Sequence, residues 1–135
     1  MNNKIERLVA NLKKNPGASE AQVKSLHEAL GMSLPQDYIA FLIFSNGAEG
    51  FVGPNSYLML WSSSQIPELN AAYSVSEFAP ELVLFGTNGG GTGYAFNKLD
   101  SSLPIVDVPL LGMSKETAAC RAATFEEFLE YLYND

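Results

Sequence analysis

The stretch LVLFGTNGGGTGYAFN, residues 82–97, places two short apolar runs on either side of a glycine-rich segment. The runs Leu82 to Phe85 and Tyr94 to Asn97 are rich in aliphatic and aromatic residues and have the length of β-strands. Glycine adopts positive φ without steric cost, so Gly86 to Gly93 suits a tight or flexible connection. The stretch therefore predicts two strands joined by a glycine-rich turn.

The same glycines could suggest a phosphate-binding loop. A P-loop ends in Gly-Lys followed by Ser or Thr and opens a helix, whereas strand-like residues 94–96 follow here and the nearest lysine is Lys98. The dinucleotide-binding fingerprint also fails, because no helix follows the glycines and no βαβ unit surrounds them. We therefore interpret the segment as a turn and predict no bound cofactor.

The first third of the chain has the periodicity of helices. One apolar stripe with helical spacing consists of Ile5, Leu8, Val9 and Leu12. Ser19 and Gln22 are placed for a capping box that opens a second helix, which Gly31 ends. A third helix begins at Pro35, because proline is favoured at the first helical position, and ends before Gly47.

The rest of the chain predicts strands in the middle and one helix at the end. The further elements are strands at Ser56 to Trp61 and Ile105 to Val108, a short helix at Ser64 to Tyr73, and a strand or loop at Leu110 to Ala123. Thr124 and Glu127 fit a capping box that opens the last helix. This order does not alternate as βαβ units would. We predict an α+β fold, with a central, mostly antiparallel sheet flanked by N-terminal helices and a C-terminal helix, in a single domain over residues 1–135.

The composition indicates a folded protein of the cytoplasm. The 135 residues are 47% hydrophobic and 17% charged, which is typical of globular domains. The only cysteine, Cys120, cannot form an intrachain disulfide and suits a reducing compartment. The N-terminus has no signal-peptide core, and no apolar stretch approaches the ~20 residues that span a bilayer. We therefore expect a cytoplasmic location and no membrane partner.

The net charge of −7 is unevenly distributed along the chain. Residues 1–24 carry five basic and two acidic side chains, whereas residues 25–135 carry three basic and thirteen acidic ones. An acidic body of this kind repels nucleic acid and anionic lipid and favours basic partners. Acidity also keeps proteins soluble, so the charge alone leaves both interpretations open.

Residue types that perform chemistry are scarce. His27 is the only histidine, and its position on the second predicted helix indicates a solvated side chain. One histidine and one cysteine do not make a zinc site. The adjacent Glu126 and Glu127 suit a helix N-terminus, and no other spacing of acids recommends a catalytic pair. Trp61, the only tryptophan, is predicted to anchor the core. We therefore predict no catalytic residue and no metal ligand.

Seven short blocks of the sequence occur in an order that is also found in a known protein superfamily. They are Leu34-Pro35-Gln36-Asp37-Tyr38, Phe41-Leu42, Ser45-Asn46-Gly47, Trp61, Phe85-Gly86-Thr87-Asn88-Gly89-Gly90-Gly91, Tyr94-Ala95-Phe96 and Thr124-Phe125-Glu126-Glu127-Phe128-Leu129. In this order and spacing, from about Leu34 to Leu132, the chain resembles the SUKH superfamily. That superfamily joins fungal cell-wall-synthesis regulators to many bacterial toxin-immunity proteins.

The resemblance implies an α+β domain with a largely antiparallel sheet and no shared catalytic site. Single-domain bacterial members of the superfamily are commonly immunity proteins, which bind a cognate toxin, often a nuclease, and block it. The matching residues are helix starts, a turn and core aromatics. No partner-contacting residue carries over, because the contact surfaces of the superfamily vary with the toxin. The resemblance therefore transfers the fold more directly than the partner.

Charge adds a hypothesis about the partner face. A toxin that acts on nucleic acid tends to be basic, and a matching acidic surface would speed encounter and add specificity. We expect part of this face to come from acids in the predicted connections, namely Glu49, Glu68, Glu77, Glu81, Asp100 and Asp107. Our leading hypothesis is an immunity protein for a basic toxin domain. A regulatory or scaffolding domain and a small enzyme that uses scattered carboxylates remain as alternatives.

Overall fold

Seven strands form one antiparallel sheet, in which each strand pairs with the next strand along the chain. The structure is a computed structural model and describes residues 1–135. The strands are β1 (Lys13–Lys14), β2 (Ala48–Val52), β3 (Ser56–Leu60), β4 (Leu82–Thr87), β5 (Thr92–Asn97), β6 (Ile105–Pro109) and β7 (Ala119–Ala122). Because the strands follow in chain order, no connection crosses over another strand.

Six helices accompany the sheet and confirm the predicted α+β class. They are α1 (Asn3–Leu8), α2 (Glu20–Leu30), α3 (Gln36–Phe44), α4 (Gln65–Ala72), α5 (Val75–Phe78) and α6 (Phe125–Asn134). A single 3₁₀ turn, Lys115–Thr117, precedes β7. No helix of the structure has both the length and the apolar character that crossing a bilayer requires.

Aromatic side chains from two helices and two central strands meet in the core. Tyr38 of α3 contacts Phe85, Phe96 and Phe125 edge-on, with ring centroids 5.2–5.4 Å apart. Phe85 of β4 also stacks on Phe96 of β5 at 4.5 Å, and Phe128 of α6 packs against Phe85 at 5.7 Å. Such aromatic pairs each contribute about 0.5–1.5 kcal/mol beyond their buried area. Together they hold α3 and α6 against the same face of the sheet.

Hydrogen bonds join the N-termini of α3 and α6. The hydroxyl of Thr124 accepts from the N–H of Glu127 at 3.1 Å, as predicted. The carboxylate of Glu127 accepts from the N–H of Ala123 at 3.2 Å and not from that of Thr124, so the predicted capping box is only half formed. The carboxylate of Asp37 accepts from the N–H of Glu126 at 3.1 Å. A side chain of α3 therefore satisfies one of the free N–H groups that open α6.

The Ser-Asn-Gly block after α3 connects loops that are distant in sequence. The buried hydroxyl of Ser45 accepts from the N–H of Asn15 at 3.0 Å and donates to the carbonyl of Gly47 at 2.6 Å. The amide oxygen of Asn46 accepts from the N–H of Ser63 at 2.7 Å. Because these bonds join the end of β1, the start of β2 and the segment after β3, this block has a structural role.

Strands β3 and β4 stay paired over only two residues of β3, Met59 and Leu60. At this point Gly86 is required for space, because a Cβ there would come within 2.5 Å of the Met59 carbonyl oxygen. Beyond the pairing, the Asn70 carboxamide of α4 accepts from the N–H of Leu84 at 2.9 Å and donates to its carbonyl at 2.8 Å. One side chain therefore takes the place of the missing strand partner.

The N-terminal region differs from the prediction. The apolar stripe predicted a helix as far as Leu12, but α1 ends at Leu8 and Lys13–Lys14 forms β1. The first helix cannot continue into these lysines, because the chain must be extended there to pair with β2. Ile5, Val9 and Leu12 are nevertheless all buried. The stripe identified core residues correctly and the end of the helix wrongly.

Two further predictions about the sheet need correction. Strand β2 was not predicted, because Glu49 and Gly50 in its centre disfavour strands. The glycine-rich connection is shorter than predicted, since β4 continues through Thr87 and β5 begins at Thr92. Only residues 88–91 form the turn between the two strands.

The ends of α2 confirm the predicted capping and change the interpretation of the histidine. Ser19 and Gln22 form the capping box, and Gly31 ends the helix with a φ of 69°. His27 is not simply solvated. It is partly buried, and its Nε2 accepts from the N–H of Leu34 at 3.2 Å, which connects the end of α2 to the loop before α3.

We predict that Tyr38→Phe raises the free energy of unfolding by about 1 kcal/mol, because the Tyr38 hydroxyl is buried without a hydrogen-bond partner. Urea denaturation at neutral pH measures this, with Tyr133→Phe, at an exposed tyrosine, as the control. A loss of stability in the Tyr38 variant would show that the hydroxyl has a stabilising partner.

Burial also raises the pKa of Tyr38 above its ordinary value and that of Tyr94 to about 12. Unfolded tyrosines ionise near pH 10. The contribution of these two neutral tyrosines to the free energy of unfolding is therefore fully present below that pH, and it falls as the pH rises towards about 12. We expect the Tyr38→Phe variant to lose less stability across this window than the parent protein.

We predict that Asn70→Ala lowers the free energy of unfolding by about 2 kcal/mol, because it leaves both backbone polar groups of Leu84 without partners. Denaturation of this variant is compared with that of the control Asn134→Ala, which changes an exposed residue at the end of α6. Equal stability of the two variants would mean that another group replaces the carboxamide.

Candidate functional site

The register of the sheet sorts its side chains onto two faces. Glu49, Met59, Thr87, Gly93 and Val108 form one cross-strand row and therefore point to the same side. The next row belongs to the opposite side, which α3 and α6 cover through the aromatic core. We call the two sides the open face and the helix-covered face.

The open face is apolar and partly exposed where it crosses β2 and β3. Phe51 is 50% exposed, and its ring packs edge-on against Tyr57 with centroids 5.2 Å apart. Met59 is partly buried and Glu49 is exposed beside it. We define the aromatic patch as Glu49, Phe51, Tyr57 and Met59. Exposed aromatic side chains of this kind are enriched at protein interfaces.

The turn between β4 and β5 borders the aromatic patch. Gly89 has a φ of 80°, and a Cβ at this position would come within 3.0 Å of the Tyr57 ring. Glycine is therefore required both for the backbone conformation and for the close approach to Tyr57. The predicted turn has a spatial role, since it fixes one border of the patch.

Glu49 and Tyr57 are hydrogen bonded within the patch. The Tyr57 hydroxyl donates to the Oε2 atom of Glu49. This bond, together with the nearby negative charge, raises the pKa of Tyr57 above its ordinary value. Tyr57 thus stays neutral in the neutral pH range, and its hydroxyl lies against the Glu49 carboxylate at the edge of an apolar surface.

A pocket of about 370 Å³ opens beside Glu49, between strands β1–β3 and helix α4. Its walls include Lys13, Glu49, Met59, Trp61, Gln65 and Leu69. Trp61 is buried and stacks on Tyr73, with centroids 6.2 Å apart and planes 5° from parallel. The predicted anchoring role of Trp61 therefore holds, and the residue also forms part of a surface pocket.

A larger groove of about 510 Å³ lies between α2 and the exposed Ile43 of α3. Its rim carries Glu20, Lys24 and Glu28 in alternating sign along α2. No phenylalanine, tyrosine or tryptophan lines this groove, whereas exposed aromatic side chains are enriched at protein interfaces. We therefore regard the aromatic patch and its pocket as the better candidate site.

The structure does not bring the six predicted acids together on one surface. Glu49 lies in β2 on the open face, and Glu68 lies on α4 one residue from the pocket wall. Glu77 belongs to α5, while Glu81 and Asp100 lie in connections at the opposite end of β4 and β5 from Glu49, about 20 Å away along the strands. Only these last two occupy connections, as the sequence predicted.

Asp107 is the clearest departure from the expected acidic face. It lies in β6 opposite Tyr94, in the row that belongs to the helix-covered face. Its carboxylate accepts from the Arg121 side chain at 2.7 Å, and the Arg121 guanidinium lies 5.7 Å from the ring centroid of Tyr131. Asp107 is therefore already paired with a side chain of the same protein, at the surface, and is separated from Glu49 by the sheet.

The sequence prediction missed the aromatic half of the site. Phe51 lies in the strand that was not predicted, although Glu49 and Phe51 alternate there with small or buried residues. The sequence analysis divided the charge at residue 24 and did not single out the stretch that has no basic residue. Residues 25–97 contain six acids and no lysine or arginine, and they include all of the aromatic patch.

The aromatic patch combines apolar side chains with a single carboxylate. No three histidine, cysteine, aspartate or glutamate side chains converge as a metal site would require. The lone Cys120 is exposed on the edge strand β7, far along the chain from the patch. An apolar surface with one anionic acceptor can bury a partner's side chains and select their charge.

Comparison with known proteins identifies the relatives of this chain. The profile of the SMI1 / KNR4 family (SUKH-1) matches residues 17–131, which is most of the sequence. The match includes every strand except β1 and all of the aromatic patch. No curated protein matches the chain.

We predict that Glu49→Gln lowers the pKa of Tyr57 towards about 10, the ordinary value for tyrosine, because the negative charge is lost while a hydrogen-bond acceptor remains. Nuclear magnetic resonance of ring-labelled tyrosine across alkaline pH measures the shift. Glu68→Gln serves as the matched control and should leave the Tyr57 titration unchanged. A titration of Tyr57 that is the same in both variants would contradict the pairing.

Proposed function

This chain belongs to the SMI1 / KNR4 family (SUKH-1), and from that membership and its aromatic patch we propose that it is an immunity protein that binds and neutralises a cognate toxin. The family is consistent with a protein-binding role of an immunity or regulatory kind. Neutralisation here would occur in the cytoplasm, through surface complementarity, without turnover and without a cofactor.

The observation that carries the proposal is the exposed aromatic surface on the open face. Phe51 and Tyr57 present a rigid apolar contact area, and Glu49 adds a negative charge at its edge. Interfaces concentrate their binding energy in such aromatic anchors. Helices cover the opposite side of the same strands, so the open face is the part of β2 and β3 that a partner can reach.

The charge distribution supports a basic partner. The segment 25–97, which supplies the patch, α4 and α5, contains only acidic charges. A basic toxin domain, such as that of a nuclease, would be attracted to this surface and would reach it faster at low salt. The same acidity disfavours nucleic acid as a direct partner of this chain.

Co-expression tests the proposal most directly. Where a neighbouring gene encodes a candidate toxin, that toxin is produced in cells with and without this protein, and survival is scored. Survival only when this protein is present supports the proposal. Binding of the toxin without protection of the cells would instead favour a regulatory or scaffolding role, and an absence of binding would contradict both.

We predict that Phe51→Ala weakens binding of the neutralised toxin by about tenfold or more, because truncation removes an exposed aromatic anchor. Calorimetry of the purified pair measures the affinity. The matched control is Phe44→Ala, which removes a phenylalanine that is 42% exposed at the end of α3, on the helix layer. Equal affinities of the two variants would place the interface elsewhere, and matching melting temperatures would show that both variants fold.

A further inference from the structure

We propose that the pocket beside Glu49 receives an arginine or lysine side chain of the protein partner, with the Glu49 carboxylate as its counter-ion. This inference rests on the proposed function and names the chemistry that the open face recognises. It is argued from the hydrogen bonding of Glu49, the walls of the pocket and the distribution of charge around it.

Glu49 has acceptor capacity that the protein itself does not use. Its Oε2 atom accepts one hydrogen bond, from Tyr57, and no lysine or arginine lies within 4.0 Å of either oxygen. The ion pairs of the structure involve other acids, namely Asp107 with Arg121 and both Glu126 and Glu130 with Lys4. A carboxylate can accept about four hydrogen bonds, so the remaining sites are free for a cationic donor.

The pocket walls suit the long stem of such a side chain. The apolar side chains of Met59, Leu69 and the largely buried Trp61 line the part of the pocket next to the carboxylate. Lysine and arginine bury their methylene stems against apolar surface while the charged group meets a polar partner. A volume of about 370 Å³ leaves room for one side chain of this size.

The hydrogen bond from Tyr57 orients the acceptor before a partner arrives. Tyr57 is itself held by Phe51 on one side and approached by Gly89 on the other. A preoriented carboxylate loses less conformational freedom on binding than a freely rotating one. The aromatic patch therefore both buries apolar surface and positions the charge.

Two charged residues near the pocket modify the attraction in opposite directions. Glu68 follows Gln65 by one helical turn on α4 and adjoins Leu69 of the pocket wall, so it adds negative charge at the rim. Lys13 lies directly opposite Glu49 in the β1–β2 pair and also lines the pocket. Lys13 should repel an incoming cation. Substitution of Lys13 should therefore affect binding in the opposite direction to substitution of Glu49.

The test uses the intact protein and two defined probes, acetylated and amidated tetra-arginine and tetra-lysine peptides. Trp61 is the only tryptophan and lines the pocket, so its fluorescence reports on occupancy. A saturable change with either peptide, weakened by added salt, supports the proposal and shows which cation fits better. The absence of a saturable change with both peptides, up to millimolar concentration, overturns it.

Substitutions test which residues the peptide-induced fluorescence change depends on. Glu49→Gln, which keeps an acceptor for Tyr57, should weaken peptide binding by about tenfold, whereas Lys13→Gln should strengthen it. The control Glu116→Gln alters an exposed acid of the 3₁₀ turn before β7 and should bind as the parent protein does. Unchanged binding in the Glu49 variant overturns the proposal. If that variant does not fold, weaker or equal binding in the Lys13 variant overturns it.

The two proposals can fail separately. If the toxin is neutralised but Glu49→Gln binds the peptides and the toxin as tightly as the parent protein, the pocket assignment fails and the immunity role stands. If the peptides bind through Glu49 but cells are not protected in co-expression, the immunity role fails and the cation pocket stands.

Discussion

The contact of Tyr38 with the aromatic rings of β4, β5 and α6 is the interaction on which the rest of the structure depends. It joins residues 58 positions apart, from Tyr38 in the N-terminal helices to Phe96 in the sheet, and continues to Phe125 in the last helix. Because these rings must be covered, α3 and α6 pack on one face of the sheet. On the other face, Glu49 and Phe51 of β2 stay exposed and Tyr57 of β3 stays partly exposed.

The divergence of β3 from β4 has a second consequence for the surface. Their pairing ends at Leu60, and the carboxamide of Asn70 on α4 satisfies the backbone of β4 beyond that point. Helix α4 is thereby brought beside the strands, and a pocket remains between Glu49 and Leu69. The same local break in the sheet that places Trp61 in the core also creates the concave part of the candidate site.

Acidic residues in this fold have different roles that their type alone does not distinguish. Asp37 caps another helix, Asp107 is paired with Arg121, and Glu49 is held by a tyrosine and retains free acceptor sites. The candidate site consequently depends on position more than on total charge. A negative net charge attracts a basic partner from a distance, but the local hydrogen bonding decides which carboxylate can receive it.

Periodicity, capping residues and glycine turns in the sequence determined the fold class, most of the elements and the family. These features depend on neighbours within a few residues, as the Ser19–Gln22 capping box and the short apolar strand at Ser56–Leu60 illustrate. The net negative charge of the chain also follows directly from the sequence. It did not identify β2, the end of α1 at Leu8, or the separation of the six predicted acids.

Only the tertiary structure decided which side of the sheet stays open and which acids share it. The orientation of Glu49 and that of Asp107 follow from cross-strand register over five strands, and a change of one residue in any pairing would exchange the faces. Likewise, the contact between Phe51 and Tyr57 exists because two strands pair, and Phe51 lies in a strand that has no strong local signal. Local forces therefore determined the elements, whereas long-range pairing determined the binding surface.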